Sequence, residues 1–302
     1  MIKLKTEADA HLVLSWISDI SDQKTNKFLF QNGSIATISQ ISSKKPENNA
    51  EKRRLTRLSA LTHIDYLKEL LAKETINYIS PLDPQWPNQL IDLGSNSPFG
   101  LFTKGDQTLL LNESISIVGT RKSTVYGNTI AAEFAFDLAT IGFNIVSGGA
   151  IGIDTSSHHG ALNAQGKTIC VQANGLSKLY PSKNDFLFQK ISNAGLIISE
   201  YPPGRNPVKN YFLDRNRIIA ALSKSTIVVE AAEISGALST ARHALRMQRL
   251  VMAVPGSINS LTSEGTNALI RNREAESVAN LEQILELVLP LGQIPYGVSL
   301  KG

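Results

Sequence analysis

Residues 114–147 read SISIVGTRKSTVYGNTIAAEFAFDLATIGFNIVS, and the fold is decided there. Ser114 to Val118 is a short β-rich run that ends in GTRKSTVYG. A helical pattern, NTIAAEFAFDLATIG, follows and closes at Gly142; Phe143 to Val146 is the next strand, ending in SGGAIGID. The same alternation continues downstream. The helix TSSHHGALNAQG leads to the strand KTICVQA, then a loop with LYPSKN, a helix near Asp185 to Asn193 and the strand GLIISE. After a polar stretch come a helix from about Asn216 to Leu222, the strand STIVVEA, the helix ALSTARHALRMQ and the strand LVMAVPG. Strands that alternate with helices predict a parallel, doubly wound sheet of the α/β class. The strands are continuous apolar runs, as both-face burial requires.

The flanks differ. Residues 1 to about 75 carry helical spacing, with apolar positions at Leu55, Leu58, Leu61, Ile64, Leu67, Leu70 and Leu71. The expected organisation is a small helical domain over 1–76, the sheet domain over 77–290 and a tail over 291–302 too short for a further domain. Lys52, Arg53, Arg54 and Arg57 read as a solvated helix start. Net charge is +4, from 30 Lys+Arg against 26 Asp+Glu, so a polyanion would have to meet locally concentrated cations. The single cysteine, Cys170, excludes an internal disulfide and suits a reducing compartment. No apolar run approaches membrane-spanning length and no signal-peptide core is visible, so a cytoplasmic protein is expected.

Ligands of open parallel sheets bind beyond the carboxyl ends of the strands. Those ends carry Gly119-Thr120-Arg121, Ser147-Gly148-Gly149, Asn174-Gly175, Glu200 to Gly204, Glu230 to Gly236 and Pro255-Gly256. Glycines near helix starts, with Arg121 at the first turn, point to an anion site. GGAIG is not a complete GxGxxG and no Walker loop occurs. His158 and His159 are adjacent and cannot share a helix face, so a surface or cap role is read for them. No zinc spacing, clustered acids for metal chemistry or GxSxG elbow appears, and Asp154 reads as a residue that orients its loop.

Onto this rim runs RNPVKNYFLDRNRII, residues 205–219. Pro202, Pro203, Gly204 and Pro207 keep its first half irregular, while Arg205, Lys209, Arg215 and Arg217 accompany Tyr211 and Phe212. Cations neutralise phosphates and an aromatic face stacks any base, which suits a single-strand pocket. A competing reading packs Phe212 under the loop and pairs the arginines with Asp214 or acids of the sheet. A different class of function is a nucleotide-binding sensor or nucleotide-processing enzyme, in which Glu230 contacts a ribose or takes part in glycosidic cleavage. The preferred role for Glu230 is a salt bridge that braces Arg215-Asn216-Arg217.

An ordered series of motifs resembles the DNA-processing protein A family (DprA, also called Smf). It includes YISPLDPQWPNQL, FGLFTKGD, SIVGTRKSTVYG, SGGAIGIDTSSHHGAL, NGLSKLYPSKN, ISEYPPGRNPVKNYFLDRNRIIAALS, VVEAAEISGALSTARHAL and VMAVPGSINSLTSEGTNALI, over about residues 77 to 275. The resemblance implies an extended Rossmann-like fold preceded by a SAM-like helical domain. It implies a non-catalytic, dimeric single-stranded DNA-binding protein that loads RecA recombinase during natural transformation, displacing or bypassing single-strand-binding protein, with no cofactor or metal. Its phosphate-holding motif falls on Gly119, Thr120 and Arg121, its basic and aromatic pair on Lys209 and Phe212, and its RNR element on Arg215, Asn216 and Arg217. With the neighbouring rim residues Ser147, Gly148 and Gly149 and with Lys183 of LYPSKN, these are the expected strand-binding residues. Two departures stand out: Gln248 replaces a usual glycine, and Arg273-Glu274 replaces a usual glycine–alanine. The optional C-terminal winged-helix-like domain of the family is not expected here.

Overall fold

The computed structural model describes residues 4–19 and 22–289; the expected tail over 291–302 lies outside them. Five helices come first: α1 (Glu7–Ile17), α2 (Gln23–Asn32), α3 (Ser34–Ser43), α4 (Asn49–Ala60) and α5 (Ile64–Lys73). Then follow β1 (Asn77–Ile79), β2 (Leu101–Gly105), β3 (Ser114–Val118), α6 (Val125–Thr140), β4 (Asn144–Ser147), α7 (Ile153–Asn163), β5 (Thr168–Gln172), α8 (Asp185–Ala194) and β6 (Leu196–Ser199). The chain continues with α9 (Lys209–Leu222), β7 (Ser225–Val228), α10 (Gly236–Arg246), β8 (Leu250–Ala253), α11 (Glu264–Arg271), β9 (Glu276–Ser277) and α12 (Leu281–Val288).

The described strands form one sheet in the order β1-β2-β6-β5-β4-β3-β7-β8-β9. From β6 to β9 every pairing is parallel, whereas β1 and β2 join antiparallel at one edge. This is the expected Rossmann-like α/β sheet, extended by edge strands that the sequence reading did not include. Alternation along each strand divides the core. Val118, Val146, Val171 and Val228 pack with α9 and α10 on one face. Ile115, Ile117, Ile145 and Ile227 pack with α6 and α12 on the other. The α6 residues Ala131, Phe134, Ala135 and Leu138 supply its sheet-facing stripe at helical spacing. Thr124 starts α6 by accepting the Gly127 N–H at 3.1 Å.

The N-terminal helices are joined to the sheet through a shared core. Leu14, Ile17 and Leu67 bury with Phe102 of β2 and Phe188 of α8. Phe102 meets the ring of Tyr78 at 5.1 Å and that of Trp16 at 6.4 Å. Each such fully buried side chain contributes about 1.5–3 kcal/mol. The basic run on α4 is not simply solvated: Arg54 is buried against Asp22 and Thr25, while Arg53 and Arg57 reach Asp19 at 2.8 and 2.9 Å. No described helix is long and apolar enough to cross a membrane.

Candidate nucleic-acid interface

The chain winds outward from β3 through β4 and β5 to β6, then must return past them to reach β7 on the far side of β3. Helix α9 is that return. It starts at the carboxyl edge of the strands and lays its first turns across the switch point between β3 and β7, where open α/β sheets take ligands. The helix begins at Lys209, seven residues before the start expected from the sequence. Lys209, Phe212, Arg215, Asn216 and Ile219 recur at three- and four-residue spacing, so they share one face. That face forms a wall of a cleft of about 610 Å³, opposite Gly119, Thr120, Arg121 and Lys122, with Ile234 to Ala237 at one end.

Arg121 extends from the loop after β3 and sets its guanidinium over the Phe212 ring, 4.9 Å from the centroid. Tyr180 packs its ring at 5.7 Å from that of Phe212, tilted by 59°. Arg121, Phe212, Tyr180, Pro181 and Arg215 then enclose a smaller depression of about 140 Å³ beside the cleft. One edge thus carries a cation, an aromatic and a second aromatic in contact. Such an arrangement can take a phosphate on the guanidinium and a base on a ring or on the guanidinium plane.

Arg215 is the floor. It is 5 % exposed and donates from Nη1 to the Val171 carbonyl at 2.5 Å, while its Nε has no partner. Burial lowers its basicity and the neighbouring Asp154 opposes that shift. Asp154 is itself buried, and desolvation raises its carboxyl against the pull of Arg215. Asp154 accepts the N–H groups of Gly148 and Ala150 at 3.2 and 3.3 Å. The glycine loop after β4 therefore already holds an internal carboxylate, as the loop-orienting reading of Asp154 requires, and those two amides do not face the cleft as free donors. Gly148 is needed for another reason: a Cβ there would lie 2.0 Å from Nη1 of Arg215.

The three RNR residues diverge because each helix step turns by about 100°. Arg215 faces the cleft. Asn216 lines it but donates from Nδ2 to the Gly236 carbonyl at 3.0 Å, which fixes the start of α10. Arg217 turns away, 3 % exposed, and grips both Glu200 oxygens at 2.7 and 2.8 Å plus the carbonyls of Asn96 and Asp214. The brace of this element is thus Glu200, and the expected salt bridge from Glu230 is not formed. Glu230 is 3 % exposed and accepts the Thr124 N–H at 2.9 Å and the Thr124 and Thr262 hydroxyls at 2.7 and 3.1 Å. It holds the start of α6, and Gly127 lets it approach. Both oxygens are committed, which leaves none directed at a ribose.

Other expected residues sit apart from the cleft. Ser147 is fully buried and donates to the Ile117 carbonyl at 2.7 Å. Gly149, at φ 70°, is buried where a Cβ would strike Cys170 and Phe188. Lys183 is exposed on the turn before α8. His158 overturns its surface reading: it is fully buried, its Nδ1 lies 2.7 Å from the Thr168 hydroxyl, and burial pushes its pKa down to about 3. Among the described residues no group of three or more His, Cys, Asp or Glu is arranged to hold a metal ion. Lys122 and Tyr180 line the site beyond the residues the sequence pointed to; they come from the loops that follow β3 and β5, and that loop origin is the signal the sequence offers for them.

The model of the family described as DNA recombination-mediator protein A matches residues 77–289. The DNA processing protein DprA of Bacillus subtilis is 40% identical over 223 residues, covering 74% of this chain and 73% of that protein. A DprA relative from Mycobacterium tuberculosis is 37% identical over 238 residues, and the matched region is 75% of this chain but only 61% of that longer protein. The X-ray structure of DNA processing protein A from Streptococcus pneumoniae superposes with a TM-score of 0.78 at 32% identity, covering 94% of this chain and 98% of that one. A Helicobacter pylori DNA processing protein A, whose structure is described for its single-stranded DNA binding mode, gives 0.65 at 33% identity over 72% of this chain and 97% of that one.

Proposed function

The chain belongs to the DNA recombination-mediator protein A family, and from that premise we propose that it binds single-stranded DNA across the α9 cleft and passes the strand to a RecA recombinase without catalysing a reaction. The contact of Arg121 with Phe212, flanked by Tyr180 above the buried Arg215, carries this reading. Flexible cations meet phosphates, and stacked rings accept bases without regard to sequence. The cleft is recessed between α9 and the loops after β3 and β7, a shape that suits a flexible single strand better than a duplex. The single-strand binding described for the Helicobacter pylori relative supports the same choice. The remaining parts of the proposal are a homodimer in the cytoplasm, action on incoming strands during natural transformation, and displacement or bypass of single-strand-binding protein. They rest on the family resemblance.

The test is RecA filament assembly on oligo-dT coated with single-strand-binding protein. Wild-type protein should speed assembly, and Arg121→Ala should abolish the effect together with strand binding. Strand binding without any effect on assembly would confine the function to holding the strand.

A further inference from the structure

Helix α8 carries a second exposed cation–aromatic unit. Phe186 is 69% exposed, and Lys190 Nζ sits 4.7 Å from its ring centroid, which repeats the geometry of Arg121 on Phe212. Lys183, exposed on the preceding turn, stands three residues before Phe186, and Lys190 stands four after it. Phe186 and Lys190 therefore share one face of the helix, and Lys183 lies on the turn that leads into it. Leu187, Phe188 and Ile191 already supply the buried side of α8, so packing does not explain Phe186. An aromatic flanked by two cations is the composition that single-strand binders place along a strand.

These residues follow the wall of the cleft closely along the chain. Tyr180 and Pro181 wall the depression beside Phe212. Asn184, between them and α8, is buried and donates to the Gly149 carbonyl at 3.0 Å and to the Thr155 hydroxyl at 2.8 Å. That pins the start of α8 to the segment after β4, whose Ala150 and Asp154 line the cleft. Six residue steps separate Tyr180 from Phe186, which bounds their backbones to within about 20 Å. Asp185 is the neighbouring acid; it lies about 100° around the helix from Phe186.

We infer that Lys183, Phe186 and Lys190 form a second station for the same single strand, which leaves the cleft past Tyr180 and stacks a further base on Phe186. The inference rests on the reading of the cleft as a single-strand site. It gives Lys183 a place that the cleft itself does not.

The experiment is anisotropy with labelled oligo-dT of about 6 and about 20 nucleotides. Phe186→Ala should weaken the long strand about fivefold or more and leave the short one unchanged, with Phe186→Trp restoring affinity. Lys183→Gln/Lys190→Gln should weaken the long strand and reduce its salt slope by about 1.4, or about 0.7 for each lost phosphate contact. Phe212→Ala should weaken both lengths. If Phe212→Ala weakens both but the Phe186 and lysine variants bind the long strand like wild type, the second station is refuted and the cleft stands. If wild type binds neither strand, the cleft reading fails and the inference falls with it.

Discussion

Removing the Arg217 side chain separates scaffold from binding surface. The guanidinium makes two hydrogen bonds to Glu200 and one each to the Asn96 and Asp214 carbonyls, at 2.7 to 3.2 Å. Arg217→Met keeps much of the packing volume but leaves Glu200, 8% exposed, without its cation. Breaking one side of a buried pair costs about 3–5 kcal/mol. That is a large part of the roughly 5–15 kcal/mol that holds a domain together. Replacing both partners, as in Glu200→Leu/Arg217→Met, removes the orphaned charge and should recover most of the loss. The assay is urea unfolding followed by far-UV circular dichroism, beside oligo-dT anisotropy under conditions where each variant is folded. The single variant should unfold at much lower urea, the double variant near wild type, and the double variant should keep strand affinity within about threefold. An Arg217→Met protein as stable as wild type but unable to bind the strand would refute this account, because the guanidinium would then be spent on DNA.

Phe212→Ala should lower oligo-dT affinity by about 1–3 kcal/mol, read by anisotropy. Because the ring also seats Arg121, it should lower the salt slope slightly as well, and an unchanged affinity would remove Phe212 from the site. Gly148→Ala forces Arg215 off its bond to Val171, and should weaken binding and cost about 1–3 kcal/mol of stability in urea. Gln248 and Arg273 hold φ of 56° and 59° at the two places where the family resemblance expects glycine, so Gln248→Gly should raise stability by up to about 1 kcal/mol. His158 stays neutral when folded, with its pKa pushed down to about 3 from an ordinary 6.5. Below about pH 6.5 the unfolded chain binds the extra proton, so stability is full above that pH and falls as pH drops toward about 3, by about 1.4 kcal/mol per unit. His158→Gln should flatten that fall in urea titrations.

The parallel strands were legible because each is an apolar run bounded by glycine and followed by a helical pattern. The two outermost strands were not: β1, at the antiparallel edge, has 3 residues and β9, at the opposite parallel edge, has 2, too short for any periodicity to register. The start of α9 was hidden by Pro202, Pro203 and Pro207 and by Val208 at its cap, which offers no side-chain oxygen to mark a helix start. Arg121, Lys209 and Phe212 could be read as neighbours of one rim because strand ends and loop order place them there. The division of labour within Arg215-Asn216-Arg217 could not, because consecutive residues point about 100° apart and only packing shows what each meets. Choosing between Glu200 and Glu230 as the brace needed the same information: both acids end strands, and both are buried.

The most direct test of the central claim is fluorescence anisotropy of this protein with labelled oligo-dT and with the matching duplex, each across a salt series. Arg121, Lys122, Lys209 and Arg215 line the cleft, so three or four phosphate contacts should give a slope of about −2 to −3 on a single strand of about 6 nucleotides, which occupies the cleft alone. The account predicts tight single-strand binding with that slope and much weaker binding to the duplex. Equal affinity for both, or no measurable affinity for either, would contradict it.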